Sequence, residues 1–362
     1  MLKIGIVGLP NVGKSTLFNA LMGKAQAAAS NFPFCTIEPN VGSVPVPDER
    51  LNVLADFEKS EKVIPTAIEF VDIAGLVKGA SEGQGLGNQF LSHIREVDAI
   101  IEVVRLFENS NITHVGGKID PKDDADTIGT ELLLADIQSL EKRVIKMEKE
   151  AKTDPSLKPQ FDFYLKLKQY LDAGSAARSL ELSDKEKVWM KEMFLLTNKP
   201  ILYVANVDEN QLKDAGIAQE IANKLGVSEN EVLIVNAKAE EDIAALSPED
   251  QKSFLDDLGL AEPGLNKIIR AGYALLDLIT FLTAGPKETR AWTIEKGAKA
   301  PQAAGVIHTD FEKGFIRAEV ISFDDIKEAG GWKEASSLGK LRQEGKDYIF
   351  QDGDVTHFKF NV

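Results

Sequence analysis

Short runs of apolar and β-branched residues punctuate the chain and predict buried strands at Leu2–Val7, Ile68–Val71 and Pro200–Ala205, with a further one before Val235. A helical stretch, Thr16–Met22, follows the first run, so the opening reads as strand, glycine-rich loop, helix. The middle of the chain has another period. Leu133, Ile137, Leu140, Val144, Met147 and Ala151 alternate spacings of four and three, a heptad seam with Glu141, Lys142 and Arg143 between its members. A helix with such a seam requires a partner, which Lys158–Leu171 and Asp184–Leu196, the latter capped by Ser183, are placed to supply. From Gly314 the pattern turns β-like in Phe315–Ile321, and after an Asp352-Gly353 turn Thr356, Phe358, Phe360 and Val362 alternate, which fits a small α+β domain.

Composition divides the chain in the same places. At ~150 residues per domain, 362 residues predict two or three domains. A net charge of −15 argues against a protein that coats nucleic acid non-specifically. All but one unit of the excess acid lies in residues 1–127 and 197–282, whereas 128–196 and 283–362 are close to neutral. These boundaries predict a nucleotide-type domain in two parts (1–127 and 197–282), an inserted helical arm (128–196) and a C-terminal domain (283–362). The one cysteine, Cys35, cannot form an internal disulfide, and the first residues lack a basic region followed by an apolar stretch, so the expected location is cytoplasmic. The longest apolar stretch, Tyr273–Ala284, is broken by Asp277 and falls short of the ~20 residues that cross a bilayer.

Gly8-Leu9-Pro10-Asn11-Val12-Gly13-Lys14-Ser15-Thr16 is a P-loop pattern in its proper strand-to-helix setting. Glycines let backbone N–H groups wrap phosphate oxygens, Lys14 reaches the β and γ phosphates, and the Ser15 hydroxyl is a Mg²⁺ ligand. The predicted nucleotide contacts are Pro10, Asn11, Val12, Gly13, Lys14, Ser15 and Thr16. Asp72 ends the second strand in Asp72-Ile73-Ala74-Gly75, as a Walker-B acid would, with Gly75 free to donate its N–H to the γ-phosphate. Thr36, in a segment after the first helix, is a candidate second hydroxyl ligand, so the predicted metal set is Ser15, Thr36 and Asp72. Gly79, Gly83, Gly85 and Gly87 suit a segment that rearranges when the γ-phosphate is lost.

The base-reading end departs from the common GTPase pattern. Asn206-Val207-Asp208-Glu209 stands where Asn-Lys-x-Asp is usual, with Val207 for the lysine and Glu209 for the aspartate that pairs with guanine. A bidentate pair discriminates strongly, so a misplaced carboxylate weakens guanine selection and favours ATP over GTP. Asn236-Ala237 is the expected place for backbone N–H groups that face the base.

With these motifs in order, the sequence closely resembles the YchF/Obg-like ATPase family, within the Obg-related branch of P-loop GTPases, over nearly its whole length. Gly8–Thr16, Asp72–Ala80 and Asn206–Glu209 are similar to that family's signatures, the altered base motif included. The resemblance implies ATP hydrolysis with weaker use of GTP and association with the ribosome, the large subunit being the expected site, or with RNA. It further implies an α/β P-loop NTPase of Ras-like form, an inserted α-helical coiled-coil hairpin, and a C-terminal α+β TGS domain of ubiquitin-like β-grasp form. A monomer without membrane contact is expected.

Water activation has fewer signals. Leu76 stands where Ras-like switches carry a glutamine and offers no polar atom. Asn11 resembles the asparagine with which potassium-dependent relatives hold K⁺ against the phosphates. His114, in the polar stretch 109–118, is the candidate that orients or deprotonates the water, and with Lys14 it makes up the predicted catalytic pair. Two other readings stay open: a GTP-specific switch, and a nucleotide-regulated RNA-binding module whose hydrolysis is incidental. A small-molecule kinase fits less well, because Asp72–Gly75 with a separate base motif suits a switch.

Overall fold

The computed structural model describes residues 2–29, 37–38, 40–75, 86–109 and 118–361. The chain gathers into two compact units: Met1–Lys24 with Thr36–Gly42 and Glu69–Ile268, and Ala25–Cys35 with Ser43–Ile68 and Ile269–Val362. The strands in chain order are β1 (Lys3–Val7), β2 (Ile37–Glu38), β3 (Val41–Pro45), β4 (Val63–Ile64), β5 (Ala67–Asp72), β6 (Ala99–Arg105), β7 (Ile201–Asn206), β8 (Val232–Val235), β9 (Leu278–Ala284), β10 (Thr289–Glu295), β11 (Phe315–Ser322), β12 (Arg342–Glu344) and β13 (Asp354–Phe360).

A seven-stranded sheet runs β2-β3-β5-β1-β6-β7-β8. The pairs β1–β5, β1–β6, β6–β7 and β7–β8 are parallel, with Ile6 opposite Ile101 and Arg105 opposite Asn206. Every residue of β6 and β7 is buried, as parallel strands covered on both faces must be. Successive strands fall on opposite sides of β1, so the strand order reverses there. Ligand clefts open at the carboxyl ends of strands at such a point.

The P-loop leaves β1 and enters helix α1 (Lys14–Ala29). Helices α2 (Glu49–Glu58) and α3 (Leu86–Arg95) precede β6. The heptad stretch lies in α4 (Pro121–Thr153), a 33-residue helix capped by Asp120, which accepts from the Lys122 and Asp123 N–H groups. Helix α5 (Lys158–Asp172) and helix α6 (Asp184–Lys191) follow. Leu140 and Met147 of the seam are buried with Phe163, Tyr164, Leu167 and Leu171, and Leu133, Ile137 and Val144 pack against the same cluster. Ser183 caps α6 in a reciprocal box with Glu186, satisfying two N–H groups that a helix start leaves open.

The second unit is built on a six-stranded sheet, β12-β11-β13-β9-β10-β4. Phe281, Phe315, Val320 and Phe350 form one of its cores. The other joins Leu282, Ile321 and Val355 to Leu51 and Leu54 of α2. Residues 43–68, assigned by charge to the first part of the nucleotide-type domain, therefore pack with the C-terminal unit. Their apolar face completes its core, and Arg50 binds Asp352 at 2.6 Å. No helix among the described residues is long and apolar enough to cross a membrane.

Candidate nucleotide-binding site

A cavity of about 640 Å³ opens at the carboxyl ends of β1, β6, β7 and β8. Each strand contributes the residues that follow it: Asn11 and Gly13–Thr16 after β1, Phe107–Asn109 after β6, Asn206–Asp208 at the end of β7, and Asn236–Lys238 with Glu241 after β8. Helices α7 (Glu209–Leu212), α8 (Ile217–Leu225) and α9 (Ala237–Ala244) continue from the last two strands.

Backbone shape in the P-loop follows from its residue types. Gly13 has φ +103°, and a Cβ there would collide with the Asn206 amide nitrogen. Asn11 adopts φ +66°, a left-handed conformation that Asn tolerates better than most residues. Lys14 is buried, its Nζ donating to the Leu9 carbonyl at 2.8 Å. Burial pushes the ammonium down to about 8, and only in part does the nearby Asp72 carboxylate offset it. An incoming polyphosphate would supply the negative charge that this buried ammonium lacks. A Cβ on Gly75 would lie 3.0 Å from Lys14 Nζ and 3.3 Å from the Pro10 nitrogen, so glycine keeps that approach open.

The metal candidates come together in part. Ser15 Oγ donates to Asp72 Oδ2 at 3.1 Å, while Asp72 Oδ1 is buried without a hydrogen-bond partner. A hydroxyl and an orphaned carboxylate oxygen, both hard donors, fit Mg²⁺, which takes few protein ligands and completes its shell with phosphate and water. No group of three or more His, Cys, Asp or Glu that could hold a metal ion occurs among the described residues. Thr36 and His114 lie outside the described residues, as do Cys35, Leu76, Gly79, Gly83 and Gly85.

At the base end the structure redistributes the expected roles. Asn206 donates from Nδ2 to the Val12 carbonyl and accepts at Oδ1 from the Ala237 N–H, both at 3.0 Å. The Ala237 N–H expected to face a base is thus already bonded. Asn236 turns its side chain to the Ala239 N–H as the cap of α9. Val207 is buried and lines the cavity. Glu209 is exposed as the first residue of α7 and is absent from the cavity lining, while Asp208, which caps that helix, lines it. A helix begins where the chain leaves β7, with Asp208 at its cap accepting from the Asn210 and Gln211 N–H groups and Glu209 in its first turn.

Sequence reasoning did not single out Phe107, Glu108, Asp208, Lys238 or Glu241 as site residues. The signal that finds them is positional, since they follow strands that end at the same sheet edge as Asn206.

Comparison with known proteins assigns the chain to a family. The 50S ribosome-binding GTPase family model matches residues 3–155, and the YchF-GTPase_C model, described as a protein of unknown function, matches residues 278–361. The Ribosome-binding ATPase YchF of Bacillus subtilis is 53% identical over 365 residues, covering 100% of both chains. The chain belongs to the YchF family. Obg-like ATPase 1 of Gallus gallus is 47% identical, covering 100% of this chain and 93% of its own. The solved structure of the Schizosaccharomyces pombe YchF GTPase superposes with a TM-score of 0.88 at 38% identity, covering 99% of this chain and 97% of that one. Membership in the YchF family accounts for the P-loop nucleotide-hydrolase fold of the first unit and for the presence of the C-terminal domain.

Proposed function

We propose that this protein is a Mg²⁺-dependent nucleoside triphosphatase that prefers ATP to GTP, turns over slowly by itself, and works as a conformational switch on the ribosome. The observation that carries the nucleotide reading is the buried Lys14 ammonium, set in a P-loop that opens into a cavity at the ends of four parallel strands. In this reading Pro10, Asn11, Val12, Gly13, Lys14, Ser15 and Thr16 cradle the phosphates, and Gly75 donates to the terminal one. Ser15 and Asp72, with Thr36, would hold Mg²⁺, which when bound offsets charge on the β and γ phosphates. Lys14 stabilises the negative charge that builds up in the transition state. Asn11 would hold K⁺ beside the phosphates, and His114 would orient the attacking water.

ATP preference is supported by the base end. Glu209 is exposed and does not line the cavity, a valine replaces the packing lysine, and the Ala237 N–H is occupied by Asn206. Asn206, Val207, Asn236 and Ala237 then shape the base site more than they read the base, and Glu209 acts from its edge. Asp208 favours a second reading, a GTP-specific switch, because it places a carboxylate in the cavity wall. Its Oδ1 already accepts from the Asn210 and Gln211 N–H groups, which leaves one oxygen for such a pair. Relatives named as ribosome-binding ATPases support the ribosome as partner, and hence a cytoplasmic location. The 128–196 arm and the 283–362 domain would report the nucleotide state to the large subunit or its RNA, the protein acting as a monomer.

Titration calorimetry with ADP and GDP, each with Mg²⁺ at one fixed salt concentration, tests the reading. ADP binding tighter by tenfold, ~1.4 kcal/mol, is the expected result. Tighter GDP binding would make this a GTPase, and binding of neither would remove the nucleotide reading.

A further inference from the structure

The segment Phe107–Asn109 belongs to no helix or strand, yet it forms one wall of the cavity. We propose that Arg105 is the positioning residue that sets this wall and, through it, the affinity of the site for nucleotide. The proposal rests on the reading of the cavity as a nucleotide site.

Arg105 is the last residue of β6 and one of the largest fully buried side chains of the protein, at 1% exposure. Its guanidinium folds forward over the residues that follow it. Nε donates to the Phe107 carbonyl at 3.1 Å and Nη2 to the Asn109 carbonyl at 3.4 Å. The guanidinium carbon also lies 4.3 Å from the centroid of the half-buried Phe107 ring, a cation–π contact. From the other side, the Leu106 and Phe107 N–H groups both donate to the Asn206 carbonyl, at 2.9 and 3.2 Å. Arg105 and Asn206 are register partners across β6 and β7. The start of the wall is therefore fixed twice, by its N–H groups on Asn206 and by its carbonyls on Arg105.

The chemistry requires arginine. A planar guanidinium stays charged when buried and presents several donors in a rigid fork, so it can hold two carbonyls of one segment and stack on a ring at once. A lysine ammonium on a flexible stem cannot keep both carbonyls and the ring contact together. The same wall would then sample several shapes, and nucleotide binding would have to select one of them.

The test compares the full-length protein with Arg105→Lys, which keeps the charge, and Arg105→Gln, which removes it. ADP affinity is measured by calorimetry with Mg²⁺, single-turnover hydrolysis at saturating ATP, and melting without nucleotide. The expected result is a Kd for ADP raised about tenfold in Arg105→Lys, with the saturating rate within threefold of wild type. If Arg105→Gln does not fold, Arg105→Lys decides alone. A Kd within twofold of wild type, even with a lowered melting temperature, would overturn the proposal by making Arg105 a stabilising residue only. Wild-type protein that binds neither ADP nor GDP would overturn the reading of the cavity and this proposal with it.

Discussion

The Asn206 side chain ties the P-loop to the start of α9, donating to the Val12 carbonyl and accepting from the Ala237 N–H, each at 3.0 Å. Two loops that are 194 and 31 residues away in sequence from Asn206 are held by one buried amide. Asn206→Ala leaves a buried carbonyl and a buried N–H without partners, which costs ~1–3 kcal/mol for each such group. Both ADP and GDP affinity should fall together, because a shared frame is lost and not a base contact. Calorimetry with the two nucleotides checks this, and loss of one affinity alone would contradict it.

Ser15 and Asp72 meet at 3.1 Å at the mouth of the P-loop. Ser15 is exposed, so Ser15→Ala should change apo stability by no more than ~0.5 kcal/mol. The same variant should lose the tightening of ATP binding that added Mg²⁺ produces in the wild type. Equal tightening in both proteins would remove Ser15 from the metal site.

Glu102 lies on β6, fully buried, with Oε1 lacking a hydrogen-bond partner. Burial pushes its carboxyl up to about 8; the positive charge of Arg178 opposes this, and Asp124 and Asp126 add to it. The folded protein thus holds a proton that the unfolded chain releases near 4.5, so folding stability falls as pH rises from about 4.5 to about 8. Glu102→Gln keeps the shape and removes this dependence. Denaturant unfolding at pH 5 and pH 8.5 should show the variant gaining on the wild type at the higher pH, and an unchanged difference would exclude ionisation of Glu102 in that window.

Leu140 is fully buried in the core of the helical arm. Leu140→Ala should destabilise the protein by ~2–5 kcal/mol, the ordinary cost of a cavity in a packed core. Nucleotide affinity measured well below the melting temperature should stay within twofold, since no arm residue lines the cavity. A larger change would show that arm packing and the nucleotide site are coupled.

Much of this protein follows from local pattern. The P-loop with its flanking strand and helix, the heptad seam of α4, the Ser183 cap and the alternation in β11 and β13 are all encoded in residues a few positions apart. Spacing alone sets which face of such an element is apolar and where its open N–H groups need a cap. The placement of Lys14, Asp72 and Asn206 was legible for the same reason, because Asp72 and Asn206 end strand runs of recognisable type and Lys14 opens the helix that follows the first such run.

Tertiary packing decided the rest. Residues 43–68 joined the C-terminal unit because Leu51 and Leu54 find Leu282 and Val355 there, a pairing of distant apolar faces that no charge count reveals. Asp208 and not Glu209 lines the cavity wall, because only the fold decides where the four-residue helix begins after β7 and so which residue stands at the strand's end and which in the helix. Arg105 looks in sequence like a charge at a strand end. Only the fold buries it and gives its fork two carbonyls and a ring, because a buried guanidinium must find partners.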